Sequence, residues 1–417
     1  MNYQETIEYL FNSTPVFEKI GAKAYKPGLQ TTFALDEHFG HPHQKYKTIH
    51  IAGTNGKGSS SHTLAAILQS QGYKVGLYTS PHLVDFRERI RVNGECVPEQ
   101  YVIDFVEENR TFFEPLHPSF FELTTAMALK YFAEQEVDYA VIEVGLGGRL
   151  DCTNIITPIL SIITNISFDH TQFLGNTLAE IAGEKAGIIK PGVPVVIGEY
   201  LPETRTVFEK KAKSENAPIL FAQDFDADHL ESSENCDVDM ELKGSYQERN
   251  KKTILAALHI LRQKLAISDE AIREGFAHVC ELTGLRGRWE KLNDAPLTIC
   301  DTGHNLAGWS YLAPQINAVK AETKHIVFGM VDDKDVAHVL QLLKEMLENR
   351  VKYYWTQPST KRAIPVEKLS EFALKLDLHG NSYHSVKEAY NAAIENAEKG
   401  DFIFVGGSSY VVADLLS

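Results

Sequence analysis

Two hydrophobic registers alternate along this chain. Short, nearly continuous apolar runs alternate with longer stretches in which apolar residues return every third or fourth position. This is the pattern of buried parallel strands joined by helices. Residues 2–20 predict an amphipathic helix with Ile7, Leu10, Phe11 and Phe17 on its buried face. Lys26-Pro27-Gly28-Leu29 breaks it, and a second helix runs through Phe33, Leu35 and Phe39. Residues 47–51 are short and β-rich, and Leu64, Ala65, Ile67 and Leu68 follow at helical spacing. Residues 75–78 read as the next strand, parallel to the first, because a strand–helix–strand crossover returns in the same direction. Further on, 121–132 read as a helix with Leu123, Met127 and Tyr131 on one side, 139–144 and 159–166 as strands, 178–189 as a helix and 193–197 as a strand.

Residues 223–247 are polar, acidic and poor in pattern, and predict an irregular or antiparallel patch. Asn250 opens a helix over 253–265. The segment Gly284-Leu285-Arg286-Gly287-Arg288-Trp289 reads as a junction, after which the pattern restarts with strands at 297–300, 325–328, 352–355 and 402–405 and a helix at 364–378. The chain is therefore expected to be an α/β protein of two domains, residues 1–290 and a smaller 291–417.

Between the first strand and its helix lies Gly53-Thr54-Asn55-Gly56-Lys57-Gly58-Ser59-Ser60. On a strand-to-helix turn, backbone N–H groups and the positive end of the helix dipole converge on one place, which suits a phosphate. Lys57 adds a mobile charge for the outer phosphates, and Ser59 or Ser60 reaches toward a magnesium ion. The spacing is irregular, since Gly53 and Gly56 stand closer than in the usual phosphate loop and Gly58 intervenes before the hydroxyls. In such sheets ligands collect at the carboxyl ends of strands, which places Ser80 and His82 near the nucleotide. Glu143 stands inside an apolar run, where an unpartnered carboxylate is costly; a metal ligand at the strand's end is the expected role. His170 is read as ending the 159–166 strand on the same face as Glu143 and Ser80, with metal or phosphate duty.

Composition narrows the partners. A net charge of −15 over 417 residues disfavours a nucleic-acid partner held through phosphate contacts. Hydrophobic residues make up 43% of the chain, enough for a core in each domain. The five cysteines, Cys96, Cys152, Cys236, Cys280 and Cys300, are scattered without CxxC spacing and predict reduced thiols in a cytoplasmic protein. The first ten residues carry Glu5 and Glu8 and do not read as a signal peptide, and the most apolar segment, 155–166, is too short and too broken by Pro158 to span a bilayer. A monomer is expected.

Together these motifs resemble the folylpolyglutamate synthase and dihydrofolate synthase family, relatives of the Mur ligases. The resemblance rests on residues 52–59, Thr79-Ser80-Pro81-His82-Leu83, residues 143–151, Asp169-His170-Thr171, Gly183-Glu184-Lys185-Ala186-Gly187, Gly287-Arg288 and Asp301-Thr302-Gly303-His304-Asn305, in the family's order across most of the chain. The family's phosphate loop has the same GTNGKGS form, which accounts for the irregular spacing. The resemblance implies a Mur-ligase-like ATPase domain with a P-loop, followed by a smaller Rossmann-like α/β domain that closes over the nucleotide. It implies ATP-driven amide ligation: ATP converts a substrate carboxylate to an acyl phosphate, and the amine of L-glutamate displaces phosphate. The acceptor is dihydropteroate, a reduced folate, or both.

By position in the motifs, the resemblance assigns Thr54, Asn55, Gly56, Lys57, Gly58, Ser59, Asn250, Arg288 and Asp301 to ATP. Ser80, Glu143 and His170 are assigned to Mg²⁺, together with Lys185, which the family carries in carbamylated form. Catalysis falls to Lys57, His170 and Lys185. Phe121, Glu122, Leu150 and Asp151 are assigned to the pterin substrate, His304 and Ser408 to glutamate, and residues 26–29 to a substrate loop. The competing readings are a Mur-type amino-acid ligase and a P-loop nucleotide switch. A Mur-type ligase usually carries a further N-terminal domain, for which the 46 residues before Lys47 are too few. The switch is disfavoured because no Asn-Lys-x-Asp guanine motif is present.

Overall fold

The structure is a computed structural model, and it describes residues 1–14, 28–225, 238–332, 334–347 and 350–417. Phe17, Lys26, Pro27, Cys236 and about half of the acidic 223–247 stretch lie outside the described residues. The chain divides into two compact units, Met1–Glu241 with Gln247–Leu285, and Leu242–Tyr246 with Arg286–Ser417.

The first unit is built on an eight-stranded sheet. Its strands are β1 (Lys47–Ala52), β2 (Val75–Tyr78), β3 (Ile90–Val92), β4 (Glu95–Cys96), β5 (Tyr139–Glu143), β6 (Leu160–Ile163), β7 (Val195–Ile197) and β8 (Ile219–Phe221). They lie in the order β4-β3-β2-β5-β1-β6-β7-β8. β3 runs antiparallel to both its neighbours, β2 and β4, at one edge, and the other pairings are parallel. β1 and β2 are parallel, as the pattern predicts, but β5 lies between them and pairs with both. The crossover rule fixes direction and leaves open which later strand inserts. β5 is buried at every position, as a central strand requires. Alternation along the strands splits the core: Ile49, Ile51, Tyr139 and Val141 pack with the helices Lys57–Ser70 and Gln247–Leu261. Ala140 and Ile142 face the helices Glu99–Phe113 and Phe120–Glu134 instead.

Several boundaries differ from the expectation. The first helix spans Tyr3–Ser13 and stops at Thr14, whose backbone is extended. In the next helix, Gln30–His38, Phe33 points outward, while Thr31, Thr32, Leu35 and Asp36 form the buried side. The predicted 159–166 strand stops at Ile163, because the backbone beyond it turns to follow the phosphate loop. The Asn250 helix begins earlier, at Gln247, and ends at Leu261. The helix at 178 ends at Lys185 and tightens into a 3₁₀ turn, Ala186–Ile188. There Gly187 lies so near Arg149 that an added Cβ would stand 2.4 Å from the arginine Cα.

The second unit holds a six-stranded sheet. Its strands are β9 (Glu290–Asp294), β10 (Leu297–Asp301), β11 (Lys324–Phe328), β12 (Val351–Thr356), β13 (Gly380–Tyr383) and β14 (Phe402–Gly406). The order is β13-β12-β11-β14-β10-β9, with only β9 antiparallel. The edge strands β9 and β13 escape a hydrophobic-pattern reading because they are polar and largely exposed.

Candidate active site

The first unit gathers its chemistry where β1, β5 and β6 end. β1 delivers the chain into Gly53, whose φ of 148° brings the backbone so close to β6 that an added Cβ would stand 1.8 Å from Thr164 Oγ1. Gly56 takes a left-handed φ of 83° and caps the helix Lys57–Ser70. The first N–H groups of such a helix have no partner within it, so they are available to an anion. The loop between these glycines is stitched to the segment after β6. Thr54 N donates to Asn165 O at 3.0 Å, Asn55 N to Asn165 Oδ1 at 2.9 Å, and Thr164 Oγ1 to Asn55 O at 2.6 Å. Lys57 Nζ donates to Thr54 O at 3.2 Å, folding its charge back over the loop.

Asn250 and Ser59 join the loop through Gln247. Asn250 Nδ2 donates to Gln247 Oε1 at 2.7 Å, and Gln247 Nε2 to Ser59 Oγ at 3.1 Å. Ser59 and Ser60 are both buried, and it is Ser59 whose hydroxyl joins the Gln247–Asn250 pair. Sequence reading missed Thr164, Asn165 and Gln247. The only trace of the first two is a polar pair that closes an apolar run.

Glu143 closes β5 directly beside Ile51 of β1. It is only 4% exposed, and its Oε2 accepts from Ser80 N at 3.1 Å. The structure thus brings Ser80 and Glu143 together. His170 does not end a strand: it lies beyond the end of β6, with φ 49°, as the cap of the single-turn helix Thr171–Leu174. Its Nε2 stands 3.8 Å from Asp169 Oδ1. Among the described residues no group of three or more His, Cys, Asp or Glu side chains is arranged for a metal. A buried carboxylate at a strand end fits Mg²⁺ nevertheless, since that ion takes one or two carboxylates and fills its shell with water and substrate oxygens.

Lys185 is the most informative side chain of the site. A lysine on a helix surface would pair with Glu184 or Glu180, but both are engaged elsewhere. Glu184 binds Arg149 at 2.9 Å, and Glu180 caps its own helix through Thr177. Lys185 is instead buried, and its Nζ donates to Gly53 O at 2.8 Å. Burial, with the Lys57 charge beside it, lowers its pKa to about 7, while Asp169 and Asp151 pull the other way. Burial thus favours the neutral amine far more than at an ordinary lysine.

The four residues assigned to the pterin substrate surround the turn after β5. Phe121 stacks on Tyr78 at 5.8 Å and lies so close to Gly145 that an added Cβ there would stand 2.4 Å from its ring. Leu150 is half-buried. Asp151 is buried and organises the turn: it accepts from Leu146 N at 2.8 Å and Thr153 N at 3.0 Å. Burial raises its pKa against these hydrogen bonds. Glu122 is buried in the capping box of its helix, accepting from Ser119 N at 2.7 Å. His82 accepts at Nδ1 from the buried Arg89, 2.7 Å away.

In the second unit, β10 and β14 are paired with Asp301 opposite Gly406, so the segments bearing His304 and Ser408 leave adjacent strand ends. Asp301 is buried and accepts from Tyr246 OH at 2.7 Å, Trp289 N at 2.8 Å and Gly303 N at 2.8 Å. Burial raises its pKa, opposed by the Arg288 charge. Arg288 donates to Gly287 O at 3.2 Å and to Thr302 Oγ1. His304 Nδ1 lies 3.2 Å from Thr302 O. Ser408 is buried and caps the helix Ser409–Leu416.

Residues 51–257 match the Mur ligase middle domain, and residues 287–409 match the Mur ligase, glutamate ligase domain. A dihydrofolate synthase/folylpolyglutamate synthase of Bacillus subtilis (strain 168) is 37% identical over 343 residues, covering 76% of this chain and 79% of its own length. The chain belongs to the dihydrofolate synthase/folylpolyglutamate synthase family. Solved structures of the family superpose over the whole chain. E. coli FolC in complex with DHPP and ADP is 31% identical, covers 100% of this chain and 97% of its own, and has a TM-score of 0.85. The bifunctional folylpolyglutamate synthase/dihydrofolate synthase of Yersinia pestis, complexed with AMPPNP and Mn ion, is 29% identical, with coverage of 100% and 97% and a TM-score of 0.84. As a dihydrofolate synthase/folylpolyglutamate synthase family member, the protein is an ATP-dependent, ADP-forming ligase that joins glutamate to its acceptor. A P-loop switch without ligase chemistry is thereby set aside. Among the described residues no helix is long and apolar enough to cross a membrane.

Proposed function

We propose that this protein ligates L-glutamate both to dihydropteroate and to the glutamate of reduced folates, acting in the cytoplasm as a monomer on small-molecule substrates alone. The observation that supports the ligation chemistry is the convergence of Gly53, Lys57, Glu143 and Lys185 on one phosphate loop. A carboxylate is a poor electrophile, so ligation requires its conversion to an acyl phosphate. The loop amides and Lys57 bind the outer phosphates and offset the charge that builds on the transferred group. Thr54, Asn55, Gly56, Gly58 and Ser59, with Asn250, Arg288 and Asp301, complete ATP binding. Ser80, Glu143, His170 and a carbamylated Lys185 would hold Mg²⁺. Bound there, the ion would neutralise phosphate charge. The turn at Phe121, Glu122, Leu150 and Asp151 receives the acceptor, and His304 and Ser408 receive glutamate. The amine then attacks the acyl carbon, the C–O bond to phosphate breaks, and inorganic phosphate leaves.

The test is to incubate the protein with ATP, L-glutamate and each acceptor separately, following ADP and identifying products by mass. One added glutamate on each acceptor is expected. Product from neither acceptor, with ATP intact, overturns the reading; product from one alone narrows it to that activity.

A further inference from the structure

Phe168 is 56% exposed, and the backbone just before it is held to the phosphate loop. Before it, Ser167 and Thr54 exchange two hydrogen bonds: Ser167 N donates to Thr54 Oγ1 at 3.1 Å, and Thr54 Oγ1 donates to Ser167 O at 3.2 Å. Asn165, two residues earlier, is bound to both Thr54 N and Asn55 N. After it, Asp169 Oδ1 accepts from His170 N at 2.8 Å. A large, mostly exposed apolar ring is thus carried at the rim of the phosphate loop, where burying it would be favourable.

We propose that Phe168 packs against the aminobenzoyl ring of dihydropteroate and favours that acceptor over a reduced folate. This rests on the reading that the protein takes both acceptors. The geometry of the two substrates makes the distinction. The reacting carboxylate must meet the terminal phosphate at this loop. In dihydropteroate that carboxylate is bonded directly to the aromatic ring, so the ring comes to the loop with it. In a folate the reacting carboxylate ends a glutamate side chain, and the same ring is held several bonds away. A ring carried beside Thr54 would therefore meet the aromatic group of the first acceptor and the aliphatic chain of the second. Adenine is a poor occupant, since ribose and the whole triphosphate separate it from the terminal phosphate, and its base would have to double back.

The experiment compares kcat/KM for dihydropteroate and for a reduced folate monoglutamate in the wild type, Phe168→Ala and Phe168→Tyr. An aromatic pair is worth a factor of about three to ten. In Phe168→Ala, kcat/KM for dihydropteroate is expected to fall by about that factor, while the KM for ATP and the folate reaction stay within about twofold. Phe168→Tyr, which keeps the ring, restores the ratio. An exposed side chain has little effect on folding, and an unchanged melting temperature keeps the comparison clean. Equal losses for both acceptors, no loss for either, or failure of Tyr to restore the ratio overturns the proposal. A wild-type enzyme inert toward dihydropteroate overturns both this proposal and the dual-acceptor reading, whereas dual activity with an unmoved ratio overturns this proposal alone.

Discussion

Lys185 Nζ donates to the carbonyl oxygen of Gly53 across 2.8 Å, tying the last residue of one helix to the first residue of the phosphate loop. Two cationic side chains, Lys57 and Lys185, thus share one loop, and burial lowers the second to a pKa of about 7. Such an amine can take up CO₂, forming an N–C bond and releasing a proton, to leave an anion on a long stem. Carbamylation of Lys185 is the expected outcome. Protonation blocks uptake, so at fixed CO₂ the adduct should diminish as pH falls below about 7. Labelled bicarbonate with carbon NMR checks the adduct and its pH dependence. Lys185→Ala should abolish most activity, and short added carboxylates should restore part of it. A fully active Lys185→Ala enzyme would rule the adduct out of the mechanism.

Lys57→Ala is expected to leave the fold intact and to lower the ligation rate by about a hundredfold or more, corresponding to roughly 3 kcal/mol of transition-state stabilisation. Its Nζ donates to the loop carbonyl of the half-buried Thr54, 3.2 Å away, and Lys57 is itself only half-buried, so its removal opens no core cavity. The check is single-turnover ADP formation beside a thermal melt. Near-normal turnover would remove Lys57 from the reaction. Glu143→Gln keeps the shape of the side chain and loses its charge; it should raise the magnesium concentration for half-maximal rate. A change confined to melting temperature would make Glu143 a structural carboxylate.

Two glycine substitutions separate backbone need from mere small size. Gly56 holds φ 83°, and an added Cβ would stand 2.3 Å from Asn250 Oδ1. Gly56→Ala is expected to cost about 1–3 kcal/mol and to weaken ATP binding. Gly183 lies inside the helix Leu178–Lys185 with nothing within 4 Å of an added Cβ. Gly183→Ala should therefore stabilise by about 0.5–1 kcal/mol. Denaturant midpoints and nucleotide titration on the pair decide it, and equal effects at the two positions would refute the distinction.

The parts of this site visible in the sequence are those whose chemistry is local. The glycines, Lys57 and the run around Glu143 announce a strand-to-helix phosphate loop because each residue type is needed where it stands. The parts that were hidden are long-range. Nothing in residues 159–166 says that the ladder stops at Ile163 so that Asn165 can bind the loop backbone. Nothing near Lys185 says that its partner is a carbonyl so distant in the chain. The insertion of β5 between β1 and β2 likewise depends on which buried strand fills the centre, which periodicity does not order. β9 and β13 were missed because edge strands have one solvated side and lack the apolar run.

His50 provides a test at a distance from the substrates. It lies in the central strand β1, fully buried, with Nε2 2.8 Å from Thr153 Oγ1. The Thr153 hydroxyl hydrogen is already given to Asp151 Oδ1, so its oxygen accepts from His50 Nε2–H, and that assigns the tautomer. Nδ1 is buried without a partner among the described residues. Burial, with Lys190 adding to it, lowers the His50 pKa to about 3. The folded ring therefore stays neutral down to that pH, while the unfolded chain takes up a proton below about 6.5. The unfolded state binds more protons across that window, so the His50 contribution is complete above about pH 6.5 and is lost progressively as pH falls toward 3. Between pH 7 and pH 5 the loss should be about 2 kcal/mol. His50→Gln does not titrate, and its amide can still donate to Thr153. Urea unfolding of both proteins at the two pH values isolates the effect from every carboxylate they share. The wild type should lose about 2 kcal/mol more than the variant on acidification, and parallel losses would show that His50 is not the group taking up the proton.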